Sequence, residues 1–171
     1  PSFPTRRSSD LIGVQGGAFS GIYITGNAIC TQGNQYVDAN FTIVTNLISD
    51  TVSPKSIFGF RLKYATLHAL IGIQIGTVLT RFSELGVTGT GESYIEVICD
   101  RVTKEISFLV NGVFKLKKVS PAVPMAAGQT ISFTAPVGSY NLIYWSDFYY
   151  IDDTQDDTPC SRLGPVVVVR S

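Results

Sequence analysis

Hydrophobic and polar residues alternate with a period of two along most of this chain, a pattern that predicts β-strands. In the segment 94–99, for example, Ile95, Val97 and Cys99 fall on one face of the predicted strand. No window of about eleven residues or more keeps the apolar stripe of an amphipathic helix. The pattern therefore indicates an all-β protein.

The segments with this pattern are rich in Val, Ile, Thr, Tyr and Phe and are separated by turn-forming residues. They are 19–25, 41–48, 57–64, 70–82, 94–99, 105–110, 113–119, 130–133, 139–151 and 166–169. About ten short strands in a chain of this length predict a two-sheet antiparallel β-sandwich or a barrel.

The clearest local element is a three-stranded meander over residues 92–119. A turn at 100–104 joins its first two strands, and Asn111-Gly112 joins the second and third. Asn and Gly tolerate the positive φ of a type I′ turn, so this dipeptide predicts a two-residue hairpin. In the third strand, Lys115 and Lys117 suit the charged protection of a sheet edge.

Composition narrows the possible functions. The 171 residues carry 13 Lys+Arg and 13 Asp+Glu, a balance that argues against nucleic acid or an anionic membrane as the main partner. No apolar run approaches the ~18 residues of a membrane span. His68 is the single histidine, which excludes multi-histidine metal sites. Cys30, Cys99 and Cys160 cannot all pair, and we expect them to be reduced and mostly buried.

The first eleven residues differ in character from the rest. Residues 2–11 resemble the in-frame translation of a sequencing adaptor, so we expect residues 1–11 to be a non-native tail. The remaining residues, 12–171, are expected to form one domain, and that domain is expected to be a fragment of a larger protein.

Two segments resemble a known family. Residues 94–112, with strand, turn, strand, Asn-Gly and strand, resemble concanavalin A-like (laminin-G-like) jelly rolls. Residues 146–154, with an aromatic strand and an acidic turn, are followed by Leu163-Gly164-Pro165 and a Val-rich strand. This second segment is similar to the closing motif of laminin-G-like domains in bacteriophage tail and virion proteins.

The resemblance implies a jelly-roll β-sandwich that serves as a structural or glycan-contacting module of a phage particle. It implies no enzymatic activity. The expected partners are other virion or tail proteins, further copies of the chain, or a cell-surface glycan. The alternative is a free-standing carbohydrate-binding module of a secreted bacterial protein, at the cell surface or outside the cell.

Aromatic side chains crowd the segment 139–151, and they supply the candidate ligand site. Strict alternation places Trp145 and Tyr149 on one face of the strand and Tyr144, Phe148 and Tyr150 on the other. One set should enter the core, while the other could form a platform for sugar rings. The candidate ligand-binding residues are Tyr140, Trp145 and Tyr149.

The densest acidic cluster follows the aromatic strand and consists of Asp152, Asp153, Asp156 and Asp157. Carboxylates on one loop are suitable ligands for Ca²⁺, so this loop is a candidate calcium site. The alternative is a solvated turn in which Asp side chains bond to nearby backbone N–H groups. We expect no other cofactor.

Glu92 and Glu96 flank Tyr94 on one strand face and raise a third possibility, a sandwich-fold glucanase. Such enzymes carry an acidic residue at the position of Tyr94, so the motif is broken here. We therefore expect Glu92 and Glu96 to face solvent on an edge or outer strand. For His68, a structural or surface role is expected.

Overall fold

A computed structural model describes residues 12–13, 21–25, 28–32, 41–44, 55–65, 67, 69–125, 130–134 and 143–152. The strands are β1 Ile12–Gly13, β2 Gly21–Thr25, β3 Ala28–Gln32, β4 Phe41–Val44, β5 Lys55–Tyr64, β6 Gly72–Ile75, β7 Val78–Arg81, β8 Gly91–Asp100, β9 Glu105–Val110, β10 Val113–Val119, β11 Thr130–Thr134 and β12 Ile143–Asp152.

These strands form two sheets in which every described pairing is antiparallel. One sheet has the order β1-β4-β11-β6-β7, and the other has the order β10-β9-β8-β5-β12-β3-β2. The helical element in the described residues is a short 3₁₀ helix, Phe82–Leu85. The predicted two-sheet antiparallel β-sandwich is confirmed. No helix among the described residues has the length and apolar character needed to cross a membrane.

The core lies between the two sheets and follows from the alternation of the strands. Along β5, Phe58, Phe60 and Leu62 point into the core, while the residues between them point to the opposite face. The seven-stranded sheet therefore has an inner face that packs on the other sheet and an outer face that does not.

The meander predicted from the sequence is present. Asn111 and Gly112 have φ values of 51° and 79°, so both adopt the left-handed conformation that a type I′ turn requires. The Asn111 side chain accepts a hydrogen bond from the Tyr94 N–H, and the Asn111 N–H donates to the Tyr94 carbonyl. The turn is thereby attached to β8, which lies on the far side of β9.

Strand β10 lies at one edge of the seven-stranded sheet, and Lys115 and Lys117 are exposed on it. Lys117 also forms an ion pair with Glu105 at 2.6 Å. The prediction that these lysines lie on a sheet edge is confirmed.

Two local expectations need correction. The segment 70–82 is not one strand, because Gly76 (φ 58°) turns the chain between β6 and β7. Strand β3, which pairs with β2 and β12, was not expected from the apolar pattern. The segments 1–11 and 166–169 lie outside the described residues.

Candidate functional site

The outer face of the seven-stranded sheet carries polar and aromatic side chains where β8, β5 and β12 lie side by side. Register places Gly59 opposite both Glu96 and Tyr149, and places Arg61 opposite Tyr94. We call this group the outer-face cluster. It consists of Gly59, Arg61, Glu92, Tyr94, Glu96, Asp147 and Tyr149.

An irregularity in β12 builds one side of the cluster. The register between β12 and β5 shifts between Ser146 and Tyr149, and Asp147 in this bulge has a φ of 52°. Aspartate tolerates this left-handed conformation better than most residues do. The extra residue breaks the alternation, so Trp145 and Phe148 both pack on the core while Asp147 and Tyr149 join the outer face. Bulges that re-aim side chains are frequent beside functional sites.

Tyr149 covers Gly59 of the neighbouring strand β5. Its ring occupies the space above Gly59, where a Cβ atom would overlap the ring. Its hydroxyl donates a hydrogen bond of 2.6 Å to Oε1 of Glu96, which is fully buried. The rings of Tyr149 and Tyr94 are stacked with centroids 6.4 Å apart. Burial and the bond to Glu96 raise the pKa of Tyr149 far above its ordinary value, so the phenol keeps its proton at physiological pH.

Arg61 joins the two sides of the cluster. Its Nε donates to Oδ2 of Asp147 at 2.7 Å, and its Nη1 forms a close ion pair with Glu92. The bond to Glu92, followed by the bond to Asp147, raises the pKa of Arg61 despite partial burial. The cluster runs from the buried carboxylate of Glu96 to the exposed carboxylate of Glu92, beside the exposed Lys63. It is therefore a rigid, hydrogen-bonded surface that reaches solvent at one end.

Two site expectations change with these positions. Trp145 is fully buried and packs edge-on against Phe133, with ring centroids 5.0 Å apart, so it cannot form a surface platform for a ligand. Glu96 is buried in an interior strand of the sheet, so the expected solvent-facing pair of glutamates on an edge strand is wrong for this residue. The bulge in β12 explains the first correction, and the covering ring of Tyr149 contributes to the second.

Several candidates cannot be placed. Tyr140, Asp153, Asp156, Asp157 and His68 lie outside the described residues. Asp152 ends β12, where its backbone pairs with Ser56. Within the described part of the chain, no three His, Cys, Asp or Glu side chains come together as a metal site. Calcium binding at the acidic loop stays a prediction.

Sequence analysis missed Gly59, Arg61 and Asp147 as members of a site. Each left a signal. A glycine inside an apolar strand often marks the close approach of another group, as Tyr149 shows here. An aspartate inside the aromatic strand 143–152 breaks its pattern at the position where the bulge occurs. Arg61 is the charged residue between core residues Phe60 and Leu62.

Comparisons with known proteins support the fold. No family model matches the sequence, and no curated protein matches it. Among solved structures, a sialidase matches with a TM-score of 0.63 and 9% identity over 85% of this chain and 17% of that chain. The alginate lyase Aly36B matches with a TM-score of 0.51 and 10% identity over 82% of this chain and 86% of that chain.

A third match is the binding domain of botulinum neurotoxin DC in complex with rat synaptotagmin II. Its TM-score is 0.51, with 9% identity over 81% of this chain and 42% of that chain. This chain thus spans less than half of the sialidase and toxin chains. At such identities the likeness shows a shared β-sandwich fold.

Proposed function

We propose that this chain is a non-enzymatic glycan-binding module whose ligand lies on the outer-face cluster. The observation that carries the proposal is the arrangement of Tyr149, Arg61 and Glu92 on one sheet face. Tyrosine offers an apolar ring with a polar tip, which suits the apolar face and hydroxyl rim of a sugar. Guanidinium and carboxylate groups nearby supply donors and acceptors for the hydroxyls.

The arrangement is preorganised, and this favours binding. Tyr149 is fixed by Glu96 and by the absence of a side chain at Gly59. Arg61 is fixed by two carboxylates. Groups that are already held in place lose little conformational entropy when a ligand binds. The fold likeness to an alginate lyase solved in complex with an alginate trisaccharide is compatible with saccharide binding by a sandwich of this type.

The non-enzymatic part of the proposal has its own support. A general base must be unprotonated near the working pH so that it can accept a proton. The raised pKa of Tyr149 keeps its phenol protonated at neutral pH, which speaks against that role. Glu96 already accepts the hydrogen bond of the Tyr149 hydroxyl.

We further propose that the module belongs to a larger protein and serves adhesion to a host cell surface, as part of a phage virion or tail fibre. A secreted bacterial protein is the alternative setting.

A glycan array probed with residues 12–171 tests the function, once with Ca²⁺ and once with EDTA. We expect binding to a restricted set of saccharides without cleavage. Loss of binding in EDTA would assign the site to the acidic loop instead of the outer-face cluster. Absence of binding by a folded sample, or release of new reducing or unsaturated ends, would contradict the proposed function.

The site is tested by titrating the best array ligand against the variant Tyr149→Leu. Loss of ring stacking is worth about 0.5–1.5 kcal/mol, so we expect an affinity about two- to twelvefold lower. Phe114→Leu is the matched control, because Phe114 is 59% exposed on the edge strand β10, away from the cluster. If Tyr149→Leu does not fold, Arg61→Lys tests the same face. Unchanged affinity in the folded variant would place the ligand elsewhere.

A further inference from the structure

Negatively charged side chains outnumber positively charged ones in and beside the outer-face cluster. Arg61 faces the carboxylates of Asp147 and Glu92, and the buried carboxylate of Glu96 lies on the same face. The exposed Lys63, opposite Glu92 in the register, adds one positive charge. The described side chains of this region therefore carry three negative and two positive charges.

The guanidinium of Arg61 is already paired with protein carboxylates. Its Nε and Nη1 already donate to Asp147 and Glu92, and its side chain is only 23% exposed. A ligand carboxylate that approached this guanidinium would lie beside the two protein carboxylates or displace one of them. Displacing Asp147, whose side chain is 10% exposed, would leave a largely buried charge without its ion pair. Displacing Glu92 would still bring the ligand's negative charge close to that carboxylate.

Sugar hydroxyls do not compete with the protein carboxylates, because they can donate hydrogen bonds to them. A carboxylate accepts hydrogen bonds through several lone pairs, and hydroxyl groups are donors that need no displacement of Arg61. The side chain of Glu92 is 45% exposed and therefore accessible to such donors. Charge and hydrogen-bonding capacity thus favour the same class of ligand.

We propose that the outer-face cluster selects uncharged saccharides and rejects acidic ones such as sialylated or uronic-acid glycans. This inference rests on the proposed glycan-binding function and adds the ligand class. The names of two structural neighbours, a sialidase and an alginate lyase, would suggest acidic saccharides as ligands, and the inference differs from that suggestion. The rejection of acidic sugars comes from the negative charges of Glu92 and Asp147, which lie beside the guanidinium that an acidic ligand would need.

Matched ligand pairs test the proposal by titration calorimetry. Lactose is compared with sialyllactose, and a mannose oligomer is compared with a mannuronate oligomer of the same length. In each pair that binds, we expect the neutral member to bind at least about tenfold tighter at low salt, because like charges repel across a short distance. The difference should shrink in high salt, where the repulsion between exposed charges is screened.

The variant Glu92→Gln identifies the source of the discrimination. It removes one negative charge, and we expect it to raise the affinity for the acidic member severalfold. Glu105→Gln is the matched control, because Glu105 is also a partly exposed glutamate in one ion pair, at the far end of β8 and β9 from the cluster. An acidic preference in the wild type, or equal effects of both variants, would overturn this inference while leaving glycan binding intact. Binding of neither pair by the folded protein would overturn the inference, and absence of binding to every array glycan would overturn the proposed function with it.

Discussion

Gly59 permits the central contact of the outer-face cluster, because its missing side chain leaves room for the ring of Tyr149. The ring then reaches Glu96, which lies opposite Gly59 on the neighbouring strand. A buried carboxylate is costly unless it is hydrogen-bonded. The single glycine therefore determines both the position of the aromatic ring and the way a buried charge is satisfied.

The variant Gly59→Ala tests this dependence. The new Cβ would overlap the Tyr149 ring, so the ring must move and its bond to Glu96 must lengthen or break. We expect a loss of about 1–3 kcal/mol in the free energy of unfolding, the usual range for overpacking. Urea denaturation measures this loss.

A double-mutant cycle provides the control. In a Tyr149→Ala background the overlap is absent, and Gly59→Ala should cost much less there, because the two positions are coupled through one contact. An equal cost in both backgrounds would show that the ring is not the reason for glycine at this position.

At the scale of elements, alternation predicted the meander but not the bulge. Strands β9 and β10 were predicted with their observed bounds, because Asn111-Gly112 is a local turn signal. The face assignment of Trp145 was wrong, because a period of two cannot anticipate the extra residue between Ser146 and Tyr149. The bulge depends on the partner strand β5 and on the bond from Arg61 to Asp147, which are distant in sequence.

The turn between β8 and β9 is held by a side chain that titrates. Oδ1 of Asp100 accepts hydrogen bonds of 2.9 Å from the N–H groups of Val102 and Thr103. The bond from Thr103 is the main cause that lowers the pKa of Asp100 below 3.8. A carboxyl whose pKa is lower in the folded state contributes stability above the unfolded pKa and loses it as the pH falls through the folded pKa.

The variant Asp100→Asn should lose this pH dependence. Asparagine retains an acceptor oxygen for the turn but does not titrate. When the pH falls from about 5 to about 2, we expect the free energy of unfolding of the wild type to fall by up to about 1 kcal/mol more than that of the variant. The difference is limited to this size because Asp100 is partly exposed and its interactions are screened by solvent. Urea denaturation at both pH values measures the difference, and parallel losses would contradict the role assigned to this turn. Glu84, whose pKa is also lowered, titrates in both proteins and cancels in the comparison.

At the scale of the whole molecule, the sandwich divides each central strand between the core and the outer face, where the glycan is proposed to bind. Along β5, Phe58 and Phe60 pack between the sheets, whereas Gly59 and Arg61 belong to the outer-face cluster. The same alternation applies in β8, where Val97 is in the core and Glu96 is in the cluster. The described core should therefore tolerate changes in the exposed part of the cluster, such as Glu92→Gln, without loss of fold.

The inner face can be probed separately through Cys99, which is a free, buried thiol, as the sequence predicted for this residue. Burial raises the pKa of Cys99 to about 12, so little reactive thiolate forms near neutral pH. The thiol lies in the core cluster on β8, in the interior of the seven-stranded sheet. A reagent can reach it only when the two sheets separate, which requires loss of the core.

Thiol labelling of Cys99 should therefore report global unfolding. In a Cys30→Ser/Cys160→Ser background, we expect native labelling at about pH 8 to be at least about a thousandfold slower than labelling of the urea-unfolded chain. This follows because the open state of a stable domain is populated at a small fraction. The rate should rise with urea in proportion to the unfolded fraction. Rapid labelling in the absence of urea would mean that β8 opens locally. Because β8 supplies Glu92, Tyr94 and Glu96, the outer-face cluster would then lack the rigidity on which the proposed recognition depends.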